Sequence, residues 1–100
     1  MVENSRSISE WAVSVFGDTK DDKVVLERAA KEFKELQELV DAGIKSYKVA
    51  VEAADVVICL ARLVDRQGYD LFELVDKKME INRKRKWIST GDGCGRHVNE

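Results

Sequence analysis

Between Val49 and Val64, every residue other than Glu52, Asp55, Cys59 and Arg62 is apolar. On a helix these four, flanked by Lys48 and Arg66, form one narrow polar stripe. More than half of the circumference is left seeking burial, which marks the centre of a bundle and not a surface helix. Two further helices of a 100-residue chain hardly supply that cover. The expectation is an all-α fold in which two long helices pair with their copies in a second subunit, as in a four-helix bundle. Ala54, Val57, Ala61 and Val64 are then expected at or near the subunit contact, in a homodimer or homotetramer.

The rest of the chain reads as helix too. Pro is absent and Gly is sparse, which suits long helices. A short amphipathic segment, Ser7 to Phe16, carries Ile8, Trp11, Ala12, Val15 and Phe16 and breaks at Gly17-Asp18. The first long helix is predicted from about Asp22 to Ala42, opened by Asp21 or Asp22 and stopped by a left-handed Gly43. The second runs from about Ser46 to Gln67, with Gly68 next. Asp70-Leu-Phe-Glu73 resembles a capping box and opens a third, reaching about Trp87. Residues 1–100 form a single domain, with a helical core over 7–87 and a loose Gly-rich tail over 88–100.

Composition narrows the partners. Net charge is −2, so there is no basic excess to hold a nucleic-acid polymer. Met1 to Glu10 is polar and lacks a signal-peptide core, and no apolar run is long enough to span a membrane. Cys59 and Cys94 belong to no metal or disulfide framework, so a reducing cytoplasm is the expected compartment.

Two acidic pairs stand out. Glu32-Phe-Lys-Glu35 lies in the first long helix and Glu52-Ala-Ala-Asp55 in the second. A spacing of three puts both acids of a pair on one helical face. If the two helices form an antiparallel hairpin, four carboxylates converge. Such oxygen donors, with no His or Cys among them, favour Mg²⁺ or Mn²⁺. A di-iron bundle would need Glu-x-x-His pairs, and no predicted helix contains a histidine. The competing reading is a solvated surface with i,i+4 links such as Lys31–Glu35 and Lys48–Glu52.

Helical phase separates the two readings. At roughly 100° per residue, Val25, Ala29, Leu36 and Leu39 fall within about 60° of Glu32. Glu32 therefore lies inside the apolar stripe, with Glu35 at its edge. An ionised carboxylate facing a core needs a cation or hydrogen bonds to compensate it. In the third helix Lys78, Asn82 and Arg85 continue the line of Leu71, Leu74 and Val75. They are expected to lean inward and meet phosphate oxygens or the acids. A solvated basic helix end is the alternative.

These motifs together resemble the MazG-like, all-α NTP pyrophosphatase superfamily, whose mark is ExxE, a spacer and ExxD. Lys78-Met79-Glu80-Ile81-Asn82-Arg83-Lys84-Arg85 is similar to that family's K-M-x-x-N-R-x-R segment. Ile8-Ser9-Glu10-Trp11 through Phe16-Gly17, and Gly91-Asp92-Gly93 to Arg96-His97-Val98, look most like its dATP/dGTP pyrophosphohydrolase subgroup. The resemblance implies Mg²⁺-dependent cleavage of a (d)NTP, notably a purine dNTP, to a monophosphate and pyrophosphate. Glu32, Glu35, Glu52 and Asp55 match the family's metal ligands. Lys78 and Asn82 match positions near the phosphates, joined by Arg85, and Phe16 matches an aromatic position near the nucleobase. Phe16 is also a plausible core residue. A helical nucleotide-binding or protein-interaction module without turnover is the reading from another class.

Overall fold

The structure, a computed structural model, describes residues 2–98. Its helices are α1 (Ser5–Phe16), α2 (Asp22–Asp41), α3 (Tyr47–Arg66) and α4 (Leu71–Lys84). Each opens on a side chain that accepts a backbone N–H left free by the first turn. Asn4 accepts from Ser7 at 2.8 Å, Asp21 from Lys23 at 2.9 Å, Ser46 from Lys48 at 3.2 Å and Asp70 from Glu73 at 3.1 Å. Ser7 returns the bond to the Asn4 backbone, so the first helix starts two residues before the expected Ser7. Gly43 and Gly68 follow α2 and α3 with φ of 74° and 87°, a left-handed turn that residues with a Cβ resist.

The C-terminal region departs from expectation. Helix α4 stops at Lys84 and not at Trp87, and the expected loose tail holds an antiparallel hairpin of β1 (Trp87–Ser89) and β2 (Gly95–His97). Trp87 and Ile88 favour extended backbone. The turn is organised by Asp92, whose carboxylate accepts from the Thr90 hydroxyl and the Cys94 N–H. The Trp87 indole N–H donates to the Asn82 carbonyl at 2.6 Å, tying the hairpin back to α4. Asn99 and Glu100, the end of the expected tail, lie outside the described residues.

Helix α3 folds back along α2 after a short loop, α1 packs on α3, and α4 packs chiefly on α3. Ile8 and Ala12 of α1, Val25 and Ala29 of α2, and Ala61 of α3 form the buried apolar core. Ala61 is thus fully enclosed within the single chain. Ala54 and Val57 remain exposed and Val64 half-buried.

Polar ties hold the ends of the helices together. Buried Ser5 donates its N–H to Asp70 Oδ1 at 2.6 Å and accepts the Leu71 N–H on its hydroxyl at 2.8 Å. At the other end of α1, Arg66 binds Asp22 at 2.6 Å and the Thr19 carbonyl, while Arg62 donates to the Gly17 carbonyl at 3.2 Å. The loop between α1 and α2 is thereby fastened over the C-terminal half of α3.

The chain leaves much of its apolar surface open. Its accessible area is 7911 Å², about 2,200 Å² above the roughly 5,700 Å² of a compact monomer of this mass. The radius of gyration is 16.1 Å, against about 13 Å for a compact domain of this length. Exposed apolar side chains lie on three helices: Leu26, Phe33 and Val40 in one row on α2, Val51 and Val57 on α3, and Phe72, Val75 and Met79 in one row on α4. The α2 row was not part of the sequence expectation, which followed only the stripe holding Glu32.

Candidate metal centre

On α2, Val25, Ala29 and Glu32 share one buried row, with Glu32 only 8% exposed. The hydrophobic residues that seat α2 therefore also carry Glu32 inward. Glu52 and Asp55, one turn apart on α3, meet it from the other helix. One carboxylate oxygen from each of Glu32, Glu52 and Asp55 lies within 4.8 Å of the others. Glu52 Oε2 is shut off from solvent and has no hydrogen-bond partner. A buried, unpaired carboxylate oxygen is costly unless a cation completes it.

The fourth acid behaves differently. Glu35 is exposed and stands outside that three-acid group. It remains close enough to Glu32 to act on it electrostatically. Burial pushes the Glu32 pKa up, and the neighbouring charges of Glu35 and Asp55 push the same way, against the opposing pull of Arg28. Arg28 reaches Glu32 Oε1 through Nη2 at 2.9 Å. Burial also raises the Cys59 thiol, with Glu32 and Asp55 adding to the effect and Arg28 again opposing it.

The acids open into a cavity of about 430 Å³, a size typical of small-molecule sites. Glu32 and Asp55 form its acidic wall, Arg28 and Arg62 bring positive charge, and Trp11, Phe16, Val24 and Ile58 are among its apolar lining. Trp11 and Phe16 meet edge to face, with centroids 5.5 Å apart. Phe16 is thus part of the cavity. Lys78, Asn82 and Arg85 are not: none of them lines it, and Lys78 and Arg85 are exposed. The expected inward lean of the third helix is absent within this chain. Helix α4 is fastened by its N-terminal end to Ser5 and has no buried residue along its length.

Arg28 and Val24 are cavity residues that the motif reading passed over. The signal for Arg28 was present in the helical phase, which sets it about 40° from Glu32. Val24 carried no such signal, and Trp11, although within the Ile8-Ser9-Glu10-Trp11 motif, read more readily as a packing residue than as a base-stacking one.

An all-α hairpin thus brings carboxylates from both arms beside a cavity with an apolar mouth. No family model matches the chain. A dATP/dGTP diphosphohydrolase of Salmonella phage PMBT28 is 40% identical over 91 residues, which is 91% of this chain and 29% of that protein. A second, from Cyanophage S-2L, is 38% identical over 48 residues, 48% of this chain and 46% of that protein. The match thus spans less than half the length of either curated relative. Among solved structures, the Cyanophage S-2L MazG-like pyrophosphohydrolase, bound to dGDP and three catalytic Mn²⁺ ions per active site, superposes with a TM-score of 0.71. That match has 25% identity and covers 96% of this chain and 90% of the other. The chain thus has the fold of a MazG-like pyrophosphohydrolase and is similar in sequence to dATP/dGTP diphosphohydrolases. No helix among the described residues is long and apolar enough to cross a membrane.

The raised Glu32 pKa has a testable thermodynamic sign. Its folded-state value lies above the ordinary 4.5, so ionised Glu32 opposes folding and protonation relieves that opposition. Without divalent ions, this contribution to stability should grow as pH falls through the raised value toward 4.5. Asp22, Asp70 and Asp92 are lowered from 3.8 by their hydrogen bonds, so they lose stability only at more acidic pH. Thermal unfolding in EDTA should show the Glu32 effect above about pH 4.5, the usual carboxylate range, and Glu32→Gln should flatten it. Parallel curves for the two proteins would contradict this assignment.

Proposed function

We propose that the chain is a nucleoside triphosphate pyrophosphohydrolase that cleaves a purine dNTP between the α and β phosphates, with Mg²⁺ or Mn²⁺. The observation that carries this reading is the three-carboxylate cluster with its unpartnered Glu52 oxygen, two of whose acids, Glu32 and Asp55, line the 430 Å³ cavity. The donor set fits a hard divalent ion, being all oxygen and drawn from two helices. Glu32, Glu52 and Asp55 would hold it, with Glu35 at the solvent edge as a further ligand. A bound ion supplies charge neutralisation for the triphosphate and Lewis acidity at the reacting phosphorus.

The chain's own residues do the rest. Trp11, Phe16 and Ile58 give the nucleobase an apolar wall that limits water. Arg62, held by the Gly17 carbonyl at 3.2 Å, brings positive charge to the same cavity, and that bond lowers the cost of ordering it on binding. The dGDP-bound neighbour supports a purine deoxynucleotide in such a cavity. Turnover of this kind serves control of the nucleotide pool in a reducing cytoplasm.

The functional unit on this reading is a homo-oligomer. The excess of about 2,200 Å² per chain is the scale that an obligate dimer buries, and the exposed apolar side chains on α2, α3 and α4 supply its apolar content. Lys78, Asn82 and Arg85, which miss the cavity of their own chain, would then approach phosphates across that contact.

The deciding assay is a panel of canonical and modified (d)NTPs with Mg²⁺ or Mn²⁺, scored for pyrophosphate and orthophosphate. Pyrophosphate and a monophosphate from dATP or dGTP are expected. Orthophosphate as the product would move the cut to another bond. Nucleotide binding without turnover would leave a helical binding module.

A further inference from the structure

Arg28 makes an ion pair that helix stability does not explain. An arginine four residues before a glutamate is the weaker order of an i,i+4 pair, because both charges then oppose the helix dipole. The pair is also unlike an ordinary surface link. Its Glu32 member is 8% exposed and part of the three-acid cluster, while the Arg28 side chain is 61% exposed. The guanidinium lines the cavity beside Asp55 and Cys59 and contacts Glu32 at 2.9 Å. Arg62, by contrast, is committed to the Gly17 carbonyl. Among the cavity's two arginines, Arg28 alone is held by an acid of the cluster.

We infer that Arg28 exchanges partners: it neutralises Glu32 while the acids hold no ion, and turns to the substrate phosphates once a divalent ion takes the carboxylate. This rests on the pyrophosphohydrolase reading above. The physical basis is competition for one carboxylate. A divalent ion at Glu32 repels the guanidinium and removes its anionic partner. The cavity then offers it a new anion, for which a guanidinium fork is well shaped. The exchange keeps an ionised Glu32 compensated in both states. It also makes metal and nucleotide respond oppositely to loss of the arginine, which a merely structural role would not do.

Two affinities of the intact protein test this, measured by calorimetry. One is Mn²⁺ alone, and the other is α,β-methylene-dATP in saturating Mn²⁺. Arg28→Met should bind Mn²⁺ about 2–5-fold more tightly, since a competing exposed pair is gone. The same variant should bind the nucleotide analogue at least about 10-fold more weakly, through loss of a charged hydrogen bond. Arg28→Lys keeps the charge without the fork and should fall between. If Arg28→Met weakens both ligands together, or changes only one of them, the exchange is wrong. Should the methionine variant misfold by circular dichroism, the lysine variant decides: wild-type values for both ligands would overturn the inference. An unmodified protein that binds neither Mn²⁺ nor the analogue would instead reject the site itself.

Discussion

Asp55→Asn and Glu32→Gln should each lower pyrophosphate release by on the order of 10³-fold, while circular dichroism stays that of the parent helix bundle. Asp55 and Glu32 contribute oxygens from opposite arms of the hairpin to one cluster. Removing either charge leaves too few anionic donors to fix a divalent ion against the triphosphate, which forfeits several kcal/mol of transition-state stabilisation. The fold should survive, because neither carboxylate supplies a helix cap or one of the ties between α1, α3 and α4. Stability without metal should rise in Glu32→Gln, since a buried charge under pressure from Glu35 and Asp55 is gone. Excess EDTA should silence the unmodified enzyme. Near-normal turnover in either variant would reject the assignment, as would full activity in EDTA.

Phe33→Asp or Val57→Asp should convert an oligomer into an 11.3 kDa monomer with reduced helicity. Phe33, in the apolar row of α2, is 54% exposed in the isolated chain, and Val57 on α3 is 39% exposed. A charge at either place would be buried without a partner in the assembled contact, at a cost of several kcal/mol per interface. The core of the single chain is too slight to compensate, since Ile8, Ala12, Val25, Ala29 and Ala61 are its buried apolar members. Sedimentation of the unmodified protein at micromolar concentration should give a dimer or larger. A well-folded wild-type monomer would leave about 2,200 Å² of excess surface unexplained and overturn the contact. Ala61 offers no such test: it is fully buried within the chain, and a larger residue there would damage the fold whatever the assembly.

Local chemistry determined the helices and the site's donors. Asp21, Ser46 and Asp70 are caps that short polar side chains make with backbone two or three residues on, and Gly43 and Gly68 are stops for the same local reason. Periodicity alone placed Glu32 among Val25 and Ala29, because a helix fixes which residues share a face. Relations between helices were another matter. That Glu35 stays outside the cluster, that Arg28 enters the cavity, and that Lys78, Asn82 and Arg85 stand clear of it depend on how each helix is rotated and fastened. The Ser5–Asp70 tie spans 65 residues, and no window of sequence contains both partners. The hairpin of β1 and β2 is closer to local, with Trp87 meeting the Asn82 carbonyl five residues back and the ring of His97 ten residues on. Sequence thus determined which faces each helix carries, since that follows from fixed backbone geometry. Only tertiary structure decided which faces meet, since that balance is set by packing across the whole chain.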